Sequence, residues 1–578
     1  MTTRSTMTWR PKYVPFRGAL ATVLLTALLA ACGGDSDDSP RTDDVGAVGA
    51  GTQSRSWVEG PGTLLTSTER FAIKTDSVTI PMRDGIRVDA RLLLPQGVQD
   101  GPRPCVLMAN GYGIDTPGLE SQVLEMAARG YAGVHASLRG SGKSQGTLGL
   151  YDNFGPDGYD IVQWMAGQPW CNGKVGMIGA SLLGIVQWQT ARQAPPALKA
   201  IIPHVACGDC YDVLWYPGGM LPGPGRRARA GIEFDLASQH RNYDAFWQER
   251  TTLDADHKKI GQSGLGVMIT GGWNDYISPA SIKAYEDLPA TAKKMLVVGP
   301  SAHGTAIADL APFSYGEQQA LWLDRYLRDL DRGDAARGRA LLYVQGPNKW
   351  RYEKDWPLPD EQRVRLYLNA AKSGSINSVN DGLIVAQAPA AGDSFASAKV
   401  TYSPSAGPFL HTLLSATNGR STEDMHAIQQ KVLTWSSAPL TVSTEVTGHG
   451  KLNFWAQLKG ADPDFVVEVS DVAPDGSARQ VTAGYLNAAR AKSRAAPAAV
   501  PQDTPTQYEV NIWPTSYVFK AGHRLRISVA GGTEETAGLV GPQGPGKNPT
   551  ASEISLLQGS KYPSYVELPL IGTGWIDR

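Results

Sequence analysis

Lys174-Val-Gly-Met-Ile-Gly-Ala-Ser-Leu-Leu-Gly-Ile-Val-Gln-Trp-Gln-Thr190 decides how the rest of the chain is read. Val175 to Ile178 is an apolar run of strand length, and Leu183 to Arg192 continues as a helix. Ser181 stands at the turn between them, flanked by Gly179 and Gly184. A serine on a tight strand-to-helix turn is pushed out of the sheet, and the helix start behind it favours developing negative charge. The spacing is G-x-S-x-x-G where a nucleophile elbow usually has G-x-S-x-G. An ordinary glycine-bounded turn with a surface serine is the competing reading, so the partners of Ser181 decide between them.

Outward from this stretch, strands alternate with helices. Phe71 to Ile80 and Ile86 to Leu94 form a hairpin through Arg83-Asp84-Gly85. Cys105 to Ala109, Tyr131 to Ala136, Leu198 to Pro203, Gly266 to Thr270 and Lys294 to Val298 are further strands. Helices fall at Leu119 to Arg129, Tyr159 to Gly167 and Tyr315 to Asp329. That alternation predicts a mostly parallel sheet covered by helices over residues 67–335. Residues 207–261 interrupt it with aromatic, glycine-rich and arginine-rich sequence, read as a helical cap over the carboxyl ends of the strands. From 336 to the end, short turn-bounded strands predict a β-sandwich or jelly roll, with Leu341 to Val344 as its first strand.

The chain's 578 residues are too many for one core, and its net charge of −1 gives no reason to expect nucleic acid or a polybasic membrane surface. At the N-terminus, Arg4, Arg10, Lys12 and Arg17 precede an apolar run too short to span a membrane. It ends in Leu29-Ala30-Ala31-Cys32-Gly33, which resembles a bacterial lipobox. By that resemblance residues 1–31 are a signal peptide and Cys32 becomes the lipidated first residue of an exported, membrane-anchored protein; residues 32–66, Gly-, Ser- and Asp-rich without periodicity, read as a flexible tether. A plain secretory signal is the alternative. Export implies an oxidising compartment, so Cys105, Cys171, Cys207 and Cys210 are structural disulfides or spare thiols.

A serine nucleophile needs a base, and the base an orienting carboxylate. In α/β-hydrolases these follow the serine in the order acid, histidine. Asp275 lies just beyond the strand Gly266 to Thr270, and His303 just beyond Lys294 to Val298. The other histidines come too early, or lie in the cap or the β unit. For an oxyanion, the Leu182 N–H is one donor. Tyr112, in the loop after Cys105 to Ala109, either supplies a second through its phenol or lines the pocket. No metal or organic cofactor is called for.

Asp157-Gly-Tyr-Asp160, Gln168-Pro-Trp-Cys-Asn-Gly-Lys-Val-Gly-Met177, Tyr243-Asp-Ala-Phe-Trp247, Gly272-Trp-Asn-Asp275, Trp350-Arg-Tyr-Glu-Lys-Asp-Trp-Pro357 and Phe519-Lys-Ala-Gly-His-Arg-Leu-Arg526 carry a resemblance. Together with the elbow, they resemble the cocaine-esterase-like (CocE/NonD) hydrolases, related to X-Pro dipeptidyl-peptidases and α-amino-acid ester hydrolases. The resemblance implies an α/β-hydrolase with a C-terminal jelly roll, a triad of Ser181, Asp275 and His303, and Tyr112 as oxyanion donor. It implies cleavage of small esters through an acyl-enzyme; X-Pro peptides or amides are the alternative substrates. A surface-anchored glycan- or polymer-binding protein with an inactive core is the non-enzymatic reading. Leu182 stands where relatives usually have tyrosine, and Ser137 where they often have aspartate. In the related α-amino-acid ester hydrolases, an acidic cluster with members two and three residues past the triad aspartate binds the substrate ammonium; here those positions are the uncharged Ile277 and Ser278, so by that resemblance uncharged acyl groups are expected unless Asp209 or Asp212 of the cap pairs with an ammonium.

Overall fold

The computed structural model describes residues 57–58, 69–97, 101–220, 232–303, 314–332, 337–391, 398–402, 424–460, 463–531 and 553–572. Cys32, the expected signal segment and most of the expected tether lie outside the described residues.

The first unit is built on a sheet of ten strands. In chain order its elements are β1 (Ile73–Pro81), β2 (Arg87–Pro95), β3 (Arg103–Asn110), α1 (Ser121–Ala128), β4 (Ala132–Ser137), α2 (Phe154–Ala166), β5 (Cys171–Ala180), α3 (Leu182–Arg192) and β6 (Leu198–His204). After the cap come β7 (Gly266–Gly272), α7 (Ser278–Asp287), β8 (Lys294–Gly299), α8 (Tyr315–Leu327), β9 (Ala340–Val344) and β10 (Lys349–Glu353), the cap itself holding α4 (Ile232–Ser238), α5 (Ala245–Arg250) and α6 (Asp254–Gln262). The strand order is β1-β2-β4-β3-β5-β6-β7-β8-β9-β10, parallel from β4 to β9 and antiparallel at both edges. Its central strands are apolar along most of their length because helices cover both faces.

Two expectations are corrected here. Leu341 to Val344 belongs to this sheet, not to the β unit: β9 runs parallel to β8, with Ala340 opposite Leu296. Every residue of β9 is buried, which suits a strand covered on both faces. Trp57 and Val58, placed in the tether, dock on β10: Trp57 bridges Arg351, and the Val58 N–H donates to the Trp350 carbonyl at 2.9 Å. The Arg351 guanidinium lies over the Trp57 ring, 5.3 Å from its centre. An open sheet edge offers unpaired backbone groups, and this segment takes them.

The second unit is all β: β11 (Gln362–Lys372), β12 (Gly382–Val385), β13 (Ala398–Tyr402), β14 (Leu433–Ser436), β15 (Thr444–Lys459), β16 (Asp464–Val472), β17 (Ala478–Asn487), β18 (Thr506–Phe519), β19 (Arg524–Ala530), β20 (Glu553–Gln558) and β21 (Tyr565–Ile571). The long β15 pairs with β18, β20 and β21, and β21 also pairs with β11, so the sheet rolls up and closes on itself. Its interior is filled by Leu452, Phe454, Phe465, Val467 and their neighbours.

The two units are locked together. Arg351 of β10 donates to both oxygens of Glu445 on β15, at 2.6 and 3.0 Å, with both side chains buried. Trp513 of β18 packs against both cores. Disulfides join Cys105 to Cys171, tying β3 to the start of β5, and Cys207 to Cys210 at the base of the cap.

Candidate active site

Ser181 sits between β5 and α3 with φ 57° and ψ −122°, a left-handed conformation that costs a non-glycine residue on the order of 1–3 kcal/mol. The surroundings hold it there: its N–H donates to the His204 carbonyl at the end of β6 (2.9 Å), and its carbonyl accepts from Gly184 and Ile185. The shifted glycine of the elbow has a structural cause. A Cβ at Gly184 would lie 2.3 Å from the Ala206 Cβ, so glycine is needed where α3 crosses the end of β6. Leu183, at the usual glycine position, is buried core.

Asp275 and His303 come from the loops after β7 and β8. These loops are stitched to each other: Trp273 N–H donates to Gly299 O, Asn274 N–H to Ser301 O, and the Asn274 amide to Pro300 O. Asp275 is thereby set against His303, whose Nδ1 lies 2.7 Å from Asp275 Oδ2. His303 Nε2 lies 2.9 Å from Ser181 Oγ. The other carboxylate oxygen of Asp275 accepts from the N–H groups of Ile277 (2.6 Å) and Ser278 (3.2 Å) at the start of α7. Its side chain is fully buried, so the helix start and the imidazole stand in for water. The structure thus aligns the three residues picked from the sequence in one hydrogen-bonded line. With Nδ1 carrying its proton toward the carboxylate, Nε2 is the acceptor facing the serine hydroxyl.

Leu182 is the first residue of α3, where an N–H has no acceptor within the helix. Tyr112 lies in the loop after β3 and is 46% exposed. Its backbone N–H donates to Asn110 Oδ1 at 2.7 Å. Leu182 and the Tyr112 loop adjoin: a Cβ at Gly111 would lie 3.0 Å from a Leu182 methyl.

Several neighbours escape a linear reading. Tyr276, directly after the acid, is buried with its ring centre 4.7 Å from that of His303. His204 is buried beside the triad and bonded to Thr270 Oγ1; burial pushes it down to about 4, against the pull of Asp275. Thr482 and Trp513 of the β unit line a small cavity with Asp275, so the second unit backs the acid. Ser137 accepts from the Ile114 N–H at 2.9 Å, a role that needs only its hydroxyl.

A cleft of about 700 Å³ opens between the cap, α7 and the β unit. On its wall Asp209 and Asp212 are both held by Arg494, at 2.7 and 2.6 Å. Among the described residues, Asp254, His257 and Asp287 form one cluster able to surround a metal ion, their ligand atoms lying within 4.8 Å of one another. Lys283 pairs with Asp287 and lies 3.8 Å from Asp254, so the carboxylates already have a cation. No helix of the described residues is long and apolar enough to cross a membrane.

Comparison with known proteins agrees with this geometry. The family model of X-Pro dipeptidyl-peptidase (S15 family) matches residues 84–230 and 225–305, and that of the X-Pro dipeptidyl-peptidase C-terminal non-catalytic domain matches 335–567. Cocaine esterase of Rhodococcus sp. (strain MB1 Bresler) is 27% identical, covering 86% of this chain and 98% of its own. An aminopeptidase structure from a marine sediment archaeon, Thaumarchaeota archaeon, superposes with a TM-score of 0.72 at 22% identity, over 88% of this chain and 98% of that one. A CocE/NonD family hydrolase from Staphylococcus aureus gives 0.70 at 19%, over 86% and 94%. With both halves matched in this order by models of the X-Pro dipeptidyl-peptidase family, the chain is similar along most of its length to a cocaine esterase and shares its fold with a CocE/NonD family hydrolase.

Proposed function

We propose that the protein hydrolyses carboxylic esters through an acyl-enzyme formed on Ser181. The observation that carries this reading is the unbroken line from Asp275 through His303 to the Ser181 hydroxyl. His303 takes the serine proton as the oxygen attacks the carbonyl carbon. The same proton then goes to the leaving alcohol, and a water repeats the sequence to release the acid. Asp275 keeps the imidazole in the required tautomer and stabilises its cation. The Leu182 N–H and the Tyr112 phenol bind the oxyanion. The family relation and the esterase among its relatives support ester cleavage.

The second reading, an aminopeptidase or X-Pro peptidase, draws on the family match and on the archaeal aminopeptidase of like fold. It requires a carboxylate free to receive a substrate ammonium, and the cap carboxylates Asp209 and Asp212 already pair with Arg494. A panel of aryl and alkyl esters, aminoacyl esters and X-Pro amides separates the two. Turnover confined to the X-Pro amides would overturn the ester reading. Labelling by a fluorophosphonate separates both from a binding protein with an inactive core.

We also propose that the mature protein is held at a membrane by lipid on Cys32, as the lipobox-like stretch suggests. Stable anchoring takes more than one acyl chain. Cys32→Ser is expected to release the protein from membranes; unchanged retention and size would contradict the anchor.

A further inference from the structure

The loop that carries Tyr112 is held by a buried polar line that the mechanism above does not use. Asn110, the last residue of β3, is fully buried and works in two directions. Its Oδ1 accepts the Tyr112 N–H at 2.7 Å, while its Nδ2 lies 2.6 Å from His135 Nε2 on β4. His135 is also fully buried, and burial together with the nearby Arg91 pushes it down to about 4, so it is neutral at ordinary pH. A neutral imidazole has one donor and one acceptor nitrogen. Because Nε2 faces the Asn110 amide donor, its proton belongs on Nδ1, and the nearest carboxylate oxygen there is Glu120 Oε1 at 4.0 Å.

This order fixes the asparagine. Were the proton on Nε2, Asn110 would have to turn its oxygen toward His135. Its amide hydrogens would then face the Tyr112 N–H, donor against donor. The next turn of the loop is pinned as well: Ser137 Oγ accepts the Ile114 N–H at 2.9 Å, and Arg91 donates to the Ile114 carbonyl at 3.0 Å and to Asp115 Oδ1 at 2.5 Å. Asn110, His135 and Ser137 are fully buried, while the side chain the loop presents, Tyr112, is exposed. Such rigidity matters most for a donor whose acceptor exists only in the transition state.

We infer that Asn110 is a positioning residue for the reaction: oriented by His135, and helped by Ser137, it holds the Tyr112 phenol where the oxyanion forms. The inference rests on the role of Tyr112 given under the proposed function. A misplacement of about 1 Å in such a group lowers the rate by about a hundredfold.

The test is a double-mutant cycle between Asn110→Ala and Tyr112→Phe, assayed with an aryl acetate. Folded sites are counted by end-point fluorophosphonate labelling, so that misfolded protein does not enter kcat. Asn110→Ala is expected to lower kcat by about 10- to 100-fold with KM changed less than about threefold. In the Tyr112→Phe background the same change is expected to cost less than about threefold, since the phenol it serves is gone. If Asn110→Ala gives no labelled sites, Ser137→Ala is put through the same cycle, with a smaller loss of about 3- to 10-fold expected. Wild-type kcat in the folded single variant, or losses that multiply in the double variant, would overturn the inference while leaving the phenol's role intact. Wild-type kcat in Tyr112→Phe would remove both.

Discussion

Arg494 of the β unit donates to Asp209 of the cap across 2.7 Å, joining residues far apart in the chain. The same guanidinium holds Asp212 at 2.6 Å and lies over the Tyr243 ring, 3.6 Å from its centre. Asp209 and Asp212 of the cap therefore already share one guanidinium. A buried ammonium without a partner is costly by several kcal/mol. Esters with uncharged acyl groups are expected to have higher kcat/KM than matched α-amino-acyl esters, phenylacetyl over phenylglycyl for example. A clear preference for the amino member would show that another carboxylate serves it.

Asp275→Asn keeps the size of the acid but reverses one hydrogen bond. Its oxygen would stay on the Ile277 and Ser278 N–H groups, turning the amide NH₂ toward His303 Nδ1. That stabilises the tautomer with its proton on Nε2, which cannot accept from Ser181. The expected loss is on the order of 10⁴ in kcat with the fold retained. A loss below about tenfold would show that Asp275 does not set the tautomer.

Buried titratable groups pull stability in opposite directions with pH. His135 and His204 are both held at about 4, against an ordinary 6.5, by burial. Between those values the unfolded chain binds protons that the folded protein does not. Their contribution is therefore full above about 6.5 and is lost as pH falls toward 4, by up to about 3 kcal/mol for each. Glu468 is buried inside the β unit and pushed up to about 7 from an ordinary 4.5. Folding favours its protonated form, so stability is lost as pH rises through that interval. Tm is expected to fall from pH 6.5 to 4, and Glu468→Gln to raise Tm above pH 7 relative to the parent. A Tm flat from pH 7 to 4 would contradict the histidine assignment.

The Cys105–Cys171 bridge closes a loop of 66 residues. Cross-links of that span stabilise by about 2–4 kcal/mol, mainly through the unfolded chain. Cys171→Ser is expected to lower stability by this amount in a denaturant titration. Finding Cys105 and Cys171 free in the denatured, unreduced protein would contradict the bridge.

The elbow and the triad are legible in the sequence because each member follows a short apolar strand, and the chain order supplies the geometry. What depends on packing between distant segments is not. The helix read from Tyr159 starts earlier, at Phe154, through Gly155-Pro156-Asp157-Gly158, which reads as a turn. Gly158 is there because a Cβ would lie 1.8 Å from Thr190 Oγ1, where this helix crosses α3. Ala340–Val344 looks like any short sandwich strand, and only its burial against β8 shows which sheet owns it. Asn110 and His135 are single polar residues in apolar runs, and only the pairing of β3 with β4 brings them together. Likewise Asp209 and Arg494 meet only once the β unit has docked on the cap.

Whether Ser181 is the nucleophile is read from turnover of an aryl ester by Ser181→Ala, purified free of the parent. A nucleophilic Ser181 requires a fall in kcat on the order of 10⁴ to 10⁶ with Tm essentially unchanged, and no covalent adduct with a fluorophosphonate. An alanine variant that folds and keeps most of its esterase activity would contradict it.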